Sequence, residues 1–515
     1  MNGAEAFVGT LKACGVEVCF ANPGTSEMQL VAAIDREHGM RAILGLFEGV
    51  VTGAADGYGR MADKPAVTLL HLGPGIGNGL ANLHNARRAG TPMINMVGDH
   101  ATYHLHYDAP LTSDVVSVSR PMSDWVRVSR SERDLAQAGL EAFNVAQSYP
   151  GKIATVIVPA DHAWTEGAAA LASPDPVPTP RSPQPVIDAA AEALREETGD
   201  KCLYLGGRAL REDTLIQAGR IAAATGARLV CETFPARMKR GAGTVPVEKL
   251  PYFGEQASEF LKSFRTIVMC GAEPPVSFFA YPGKPSWLAP EEANIVRLAS
   301  LREDAHTALS GLADTLDAPA DPARLQDRMV LPAEPGKLTP QAIGAVLSDL
   351  IPENAIVSDE SATAGLAVYG MTAGAKRHDW LTLTGGAIGQ GLPLAVGAAV
   401  ACPDRKVIAL QADGSGMYTN QALWTMSREQ LDVVTVVFNN GSYAILNIEL
   451  SRVGVQNPGP KALSMLDLTR PEIDWCQISE GMGVPAVRAA TTEEFRSALL
   501  DALTQKGPRL IEAII

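Results

Sequence analysis

Positive charge is in the minority in this chain. It carries 43 Lys and Arg against 57 Asp and Glu, a formal net charge of −14, so neither nucleic acid nor an anionic membrane surface suits it as a partner. Cysteine is sparse as well. Cys14, Cys19, Cys202, Cys231, Cys270, Cys402 and Cys476 are scattered and odd in number, with no metal-type pairing. Reduced thiols in the cytosol are the simplest reading. No apolar stretch approaches the ~20 residues of a membrane span. The opening residues Ala4, Phe7, Val8 and Leu11 read as an amphipathic helix, with no basic leader and no export signal. The middle of the chain lacks G-x-G-x-x-G; only Gly206-Gly207-Arg208 follows a strand there, a weak sign of a nucleotide.

What is present is the material of a large α/β enzyme. The 515 residues are 46% hydrophobic, with 48 Gly and 35 Pro, enough for about three domains with cores of their own. Unalternated apolar runs suit parallel strands covered on both faces. They fall at 17–20, 42–47, 66–70, 93–97 and 153–158, near Leu203, Leu229, Ile267 and Ile295, and at 355–357, 407–410, 433–438 and 509–515. The expectation is α/β: three doubly wound parallel-sheet domains at 1–171, 186–330 and 338–515. A proline-rich connector, 172–185, and a second one at 331–340 separate them.

Residues 406–445 organise the rest. The run 407–410 leads to Asp413-Gly414-Ser415-Gly416, a helix-like segment follows with Ala422, Leu423 and Met426, and the run 433–438 ends in Asn439-Asn440-Gly441. Such a unit places Asp413 and Asn440 at the carboxyl ends of two parallel strands, where open α/β sheets bind ligands. A carboxylate, a side-chain amide and backbone carbonyls suit Mg²⁺, which completes its octahedron with phosphates. Gly414 and Gly416 let backbone N–H groups approach a phosphate, at the positive end of a helix beginning near Tyr418. An ordinary Rossmann-like unit with a chance Asp-Gly and Asn-Gly has the same pattern. Glu48 ends the apolar stretch Ile43, Leu44, Leu46, Phe47 and precedes a small-residue helix at 50–59. A carboxylate there is partly withdrawn from water and suited to proton exchange, or it simply caps the helix. His71, at a strand end, is either a structural imidazole or a proton carrier. His104 and His106 have HxH spacing but no third ligand cluster, so a non-metal reading is preferred.

The Asp-Gly-Ser turn and, 27 residues after its Asp, the second Asn of Asn-Asn-Gly resemble the diphosphate and Mg²⁺ motif of thiamine diphosphate (ThDP) enzymes. Ala412 stands where that motif usually has Gly. FEGVVTGAADGYGRM and KPAVTLLHLGPGIGNGLANLHNA are similar to the pyrimidine-binding domain of ThDP-dependent decarboxylases, acetolactate synthases and pyruvate oxidases, and the resemblance spans nearly the whole chain. It implies pyrimidine-binding, middle Rossmann-like and diphosphate-binding domains in that order. Glu48 would hydrogen-bond the aminopyrimidine and promote the tautomer that deprotonates the thiazolium carbon. Asp413, Asn440 and the Ser442 carbonyl would hold Mg²⁺. Ser361, Thr363, Gly414, Ser415 and Tyr443 would meet the cofactor, Gly386 would offer it a backbone acceptor, and Ile388 would wedge between its rings, a proximity device.

NPGTSE and LLHLGPGIGN are similar to benzoylformate decarboxylase, which puts Thr25 and His71 against the substrate. His106, Pro110, Leu111, Leu446 and Glu449 match the pocket region, with Glu449 where that relative is apolar. That relative also has a second catalytic His near Phe278-Phe279-Ala280-Tyr281; here no His occurs between His162 and His306, which points to another substrate and toward ligation. The middle domain carries FAD in some relatives and is empty in decarboxylases; the latter is expected. The reading is a ThDP- and Mg²⁺-dependent 2-oxo acid decarboxylase with carboligase capacity, a cytosolic homodimer or homotetramer whose site lies between subunits. The alternatives are an acetolactate synthase catalytic subunit and a non-catalytic ThDP-binding protein.

Overall fold

A computed structural model describes residues 1–173, 176–196 and 199–515; part of the proline-rich connector, 174–175, lies outside the described residues. Three sheets form. In the first the strand order is Arg41–Leu44, Val18–Asn22, Ala66–Leu70, Met93–Asp99, Ile153–Pro159, Trp125–Val128, parallel throughout. The third runs His378–Thr382, Ile356–Glu360, Val407–Ala412, Val433–Asn439, Arg509–Ile514, Ala486–Ala489, again parallel. Counted along the chain, both have the order 2-1-3-4-6-5. Each therefore reverses direction between its first and third strands, the switch point where such sheets bind ligands. The middle sheet is also parallel, with Asp200–Leu205 central and Phe264–Cys270 beside it.

One strand departs from the all-parallel expectation. Met238–Arg240 leaves the middle unit and adds antiparallel to the edge strand His378–Thr382. Buried Arg240 there lies over the rings of Tyr369 and Trp380, at 3.8 and 4.9 Å from their centroids, and donates to the Tyr369 carbonyl. That strand carries His378 and Asp379, so it offers no apolar run to read. Despite burial, Arg237, Lys239 and Arg405 hold the Asp379 carboxyl well below the usual carboxylate range.

The first and third sheets meet through two helices. Glu48–Ala62, with Gly49, Gly53, Gly57 and Gly59, is buried along almost its whole length and packs on Gly391–Ala401. The approach is backbone to backbone: a Cβ on Gly397 would lie 1.8 Å from the Ala54 carbonyl oxygen, and one on Gly57 2.1 Å from that of Leu394. Inside this contact Asp56 and Arg60 pair at 2.6 Å, with Gln390 and Thr91 also donating to Asp56. The small residues of the helix are thus what lets it lie between two sheets with Glu48 at its first turn. Among the described residues no helix is long and apolar enough to cross a membrane. All seven cysteines are free.

Because Gly397 has no room for a methyl group, Gly397→Ala is expected to lower stability by about 1–3 kcal/mol, read as a shifted denaturation midpoint. An unchanged midpoint would show that the two helices are not in the contact described.

Candidate active site

Strand Val407–Ala412 ends in a single helical turn, Asp413–Gly416. The buried Asp413 carboxylate accepts N–H bonds from Gly414 (2.8 Å), Gly441 (2.8 Å) and Asn440 (3.1 Å). The turn at the end of the neighbouring strand is thereby pulled onto it. Gly441 takes φ +63° to make that bend, and the Asn440 side-chain oxygen accepts from the Ser442 amide at 2.9 Å. Burial lifts the Asp413 carboxyl above its ordinary range in spite of the three amides. A buried anion beside an amide oxygen is a set of hard donors that fits Mg²⁺. The Tyr443 ring covers Gly414 so closely that a Cβ there would lie 2.5 Å from it.

A chain of hydrogen bonds joins this turn to the glycine-rich loop after His378–Thr382. Ser415 Oγ accepts from Gln411 (2.6 Å), Gln411 donates to Glu360 (3.1 Å), and Glu360 accepts from the amides of Gly389 and Gly391, both at 2.6 Å. Gly386 and Gly389 have φ +74° and +94°. From the opposite side the helix Leu72–Ala89 holds the same loop: Asn82 and Asn85 donate to the carbonyls of Gly389 and Ala387, and His84 contacts that of Gly385. Half-buried Ile388 is therefore carried on a loop fixed from both sides. Glu360, which sequence reasoning passed over, is the centre of that arrangement. Its only sequence signal is an acid closing a strand before Ser361. The Ser361 hydroxyl donates to Asp359 at 2.6 Å, and Thr363 stands on the first turn of Ala362–Met371.

In the first domain Glu48 is buried at the start of its helix and accepts from Asn78 at 2.9 Å. Its other oxygen faces Gly75, where a Cβ would approach to 3.2 Å. Thr25 lies exposed on the turn after Val18–Asn22, and His71 follows Ala66–Leu70. These are the two loops of the switch point, and they touch: a Cβ on Gly24 would lie 2.2 Å from His71 Nδ1. Glu27, also unforeseen, is fully buried; it accepts from the Gly24 amide and sits 2.8 Å from His71 Nδ1. Burial raises its pKa against the pull of Gly24 and His71. With Glu27 ionised, Nδ1 carries the proton and Nε2 is left as an acceptor.

The remaining pocket candidates divide. His106, Pro110 and Leu111 are exposed on the loop after Met93–Asp99, with His106 packed on Tyr107 at 3.8 Å. Leu446 is exposed and Glu449 part-buried on the helix Ala444–Arg452 that follows Tyr443. Among the described residues, no group with metal-ligand spacing contains a histidine; Asp474, Cys476 and Glu512 form one, and Arg488 bridges its two carboxylates. No hydrogen bond among the described residues joins Glu48 to the Asp413 turn of the same chain.

Family models described as "Thiamine pyrophosphate enzyme, N-terminal TPP binding domain" and "Thiamine pyrophosphate enzyme, C-terminal TPP binding domain" match residues 1–118 and 364–513. The chain belongs to the thiamine pyrophosphate enzyme family. It is 53% identical, over 100% of its length and 99% of the relative's, to a Mycobacterium tuberculosis protein whose name, acetolactate synthase large subunit IlvX, is itself provisional. It is 29% identical to the benzoylformate decarboxylase of Pseudomonas aeruginosa, over 98% of this chain and 96% of that one. The ThDP-dependent 4-hydroxybenzoylformate decarboxylase of Rhodococcus jostii RHA1 superposes with a TM-score of 0.87 at 25% identity, covering 99% and 98% of the two chains. These matches make the chain a ThDP-dependent enzyme, related to both decarboxylases and acetolactate synthases.

Glu360 gives this site a pH signature. Burial pushes its pKa up to about 7 from an ordinary 4.5, so the folded state binds the extra proton. Its contribution to stability is therefore greatest below about pH 4.5 and is lost as pH rises to 7. Glu360→Gln is expected to flatten the fall in urea midpoint between pH 5 and 8 relative to the parent; parallel pH curves for the two proteins would refute the assignment.

Proposed function

We propose that this enzyme decarboxylates a 2-oxo acid with ThDP and Mg²⁺, and passes the resulting acyl unit to a proton or to a second carbonyl compound. The observation that carries the reading is the buried Asp413 turn clasped by Asn440 and Gly441, in a family with ThDP-binding domains at both ends of the chain. Asp413, Asn440 and the Ser442 carbonyl hold the metal. Ser415, Thr363 and the amides near Gly414 hold the diphosphate; Gly386 and Ile388 orient the ring system. When bound, ThDP supplies a nucleophilic carbon and an electron sink for loss of CO₂.

The protein's own share is proton handling and positioning. Glu48, fixed by Asn78, exchanges a proton with the pyrimidine ring; His71, oriented by Glu27, presents Nε2 to the substrate beside the Thr25 hydroxyl. No histidine occurs between His162 and His306, so His71 works without the second imidazole of benzoylformate decarboxylase, and carbon–carbon bond formation competes with protonation. Leu46 beside Glu48, and Met417 and Tyr418 beside Asp413, are apolar and exposed in the single chain. A second copy covering them suits a site shared between subunits, in a homodimer or homotetramer. Free, mostly buried thiols suit the cytosol.

A second reading, an acetolactate synthase with FAD, draws on one observation. A cleft of about 560 Å³, lined in part by Arg87, Glu232, Phe234, Arg208 and Arg302, opens at the carboxyl ends of the middle strands. Flavin absorbance in the purified protein, with acetolactate formed from pyruvate, would favour that reading over the first.

Glu48→Gln is expected to lower kcat by at least ~100-fold with ThDP still bound by calorimetry, whereas Asp413→Ala loses Mg²⁺-dependent ThDP binding itself. Full turnover by Glu48→Gln, or undiminished cofactor affinity in Asp413→Ala, would remove the mechanism.

A further inference from the structure

The helix Ala444–Arg452 begins at Tyr443, whose ring covers Gly414 of the proposed metal turn. One turn from its end stands Glu449, a carboxylate at a part-buried position. The middle domain fastens one of its oxygens through Tyr281, whose Oη donates to Oε2, while Arg452 of the same helix has Nε 3.5 Å from that atom as an ion pair. Arg452 is held in turn by Glu255, with bonds of 3.0 and 2.8 Å, and by the faces of Phe253 and Tyr281. Lys284 also pairs with Glu255. The carboxylate is therefore clamped in one orientation.

Its second oxygen, Oε1, is buried and has no hydrogen-bond partner. A buried carboxylate oxygen without a donor is costly, and here the clamp prevents it from turning away. The surrounding charges cancel: Glu255 and Glu449 against Lys284 and Arg452. What is on offer is a lone pair, not a net negative field, so a neutral donor fits better than an ammonium.

The wall beside Glu449 is aromatic and continuous with the cofactor loop. Phe278 lies against Gly386, where a Cβ would come within 2.5 Å of its ring, and it packs on Tyr252 (5.6 Å) and Phe279 (4.9 Å). Tyr252 is near enough to Glu449 for that charge to act on it. Aromatic surface thus runs from the loop expected to orient the ThDP rings to the clamped carboxylate.

We infer that Glu449 is a specificity-determining residue whose Oε1 accepts a hydrogen bond from a hydroxyl at the distal end of the substrate, selecting hydroxylated 2-oxo acids over their unsubstituted counterparts. This rests on the 2-oxo acid reading above. It gives the acid at this position a function that a packing role would not require. A site built to accept from a hydroxyl discriminates strongly against an analogue that lacks one, because the acceptor is then left buried and unpaired.

The test compares matched pairs: 4-hydroxybenzoylformate with benzoylformate, and 5-hydroxy-2-oxopentanoate with 2-oxohexanoate. The ThDP- and Mg²⁺-loaded parent is expected to prefer the hydroxylated member of at least one pair by roughly tenfold or more in kcat/KM. Glu449→Leu is expected to lose or reverse that preference while still releasing CO₂ from the unsubstituted acid. Tyr281→Phe, which loosens the clamp without removing the carboxylate, should give an intermediate ratio and keeps the test open if the Leu variant does not fold. Calorimetric binding of the unreactive 4-hydroxymandelate against mandelate should follow the same order. Equal ratios in parent and variants, or a parent preference for the unsubstituted acids, would overturn the inference alone. Absence of CO₂ and acyloin from every acid, with ThDP bound, would overturn the functional reading and this inference with it.

Discussion

The structure turns on one buried negative charge. Asp413 sits at the end of a parallel strand with three backbone amides directed at it and, among the described residues, no ion pair to a cationic side chain. Burying a carboxylate is unfavourable unless it is well bonded or meets a cation. The amides meet part of that requirement; the proposed Mg²⁺ would meet the rest. The same bonds draw the Asn440-Gly441 turn of the neighbouring strand into place, so the group proposed to bind the metal also assembles the other side of that site.

Around that turn the chain is built from two sheets with the same strand order, 2-1-3-4-6-5. Equivalent positions carry complementary chemistry. The first-strand and third-strand loops carry Thr25 and His71 in the N-terminal sheet, and Ser361 with Thr363 and Asp413 in the C-terminal one. After the second strand come Glu48 in one and the Gly385–Gly389 loop in the other. On the proposed reading one architecture provides both the proton-handling and the anion-binding half of a single site, and the close approaches of Gly57 to Leu394 and of Gly397 to Ala54 fix how the two sheets sit within a chain. The middle unit contributes an edge strand to the C-terminal sheet and, through Tyr281 and Phe278, a wall beside the helix Ala444–Arg452 and the Gly386 loop.

Much of this was legible from residue order, for a local reason. Asp413, Asn440, Glu48 and His71 each close an apolar run, and a strand terminus is a place that pattern can locate. What stayed hidden acts at long range. Glu27 reaches His71 across 44 positions and Glu360 reaches Gly389 across 29; nothing in either neighbourhood tells such an acid from one on a solvated surface. The strand His378–Thr382 escaped notice because its buried Asp379 is balanced by Arg237, Lys239 and Arg405 from distant segments. The antiparallel visit of Met238–Arg240 is a choice of partner, which periodicity does not encode.

The central claim is that Glu48 of one copy acts on a cofactor held by Asp413 of another. Mixing Glu48→Gln and Asp413→Ala chains, after dissociation and reassembly, measures it directly, since each variant alone is expected to have lost nearly all turnover. A shared site leaves every mixed pair with one intact Glu48 facing one intact Asp413, so CO₂ release from the preferred 2-oxo acid should reappear. If both groups serve the same chain's site, every site in the mixture keeps one defect, and a mixture as inactive as its components would contradict the account.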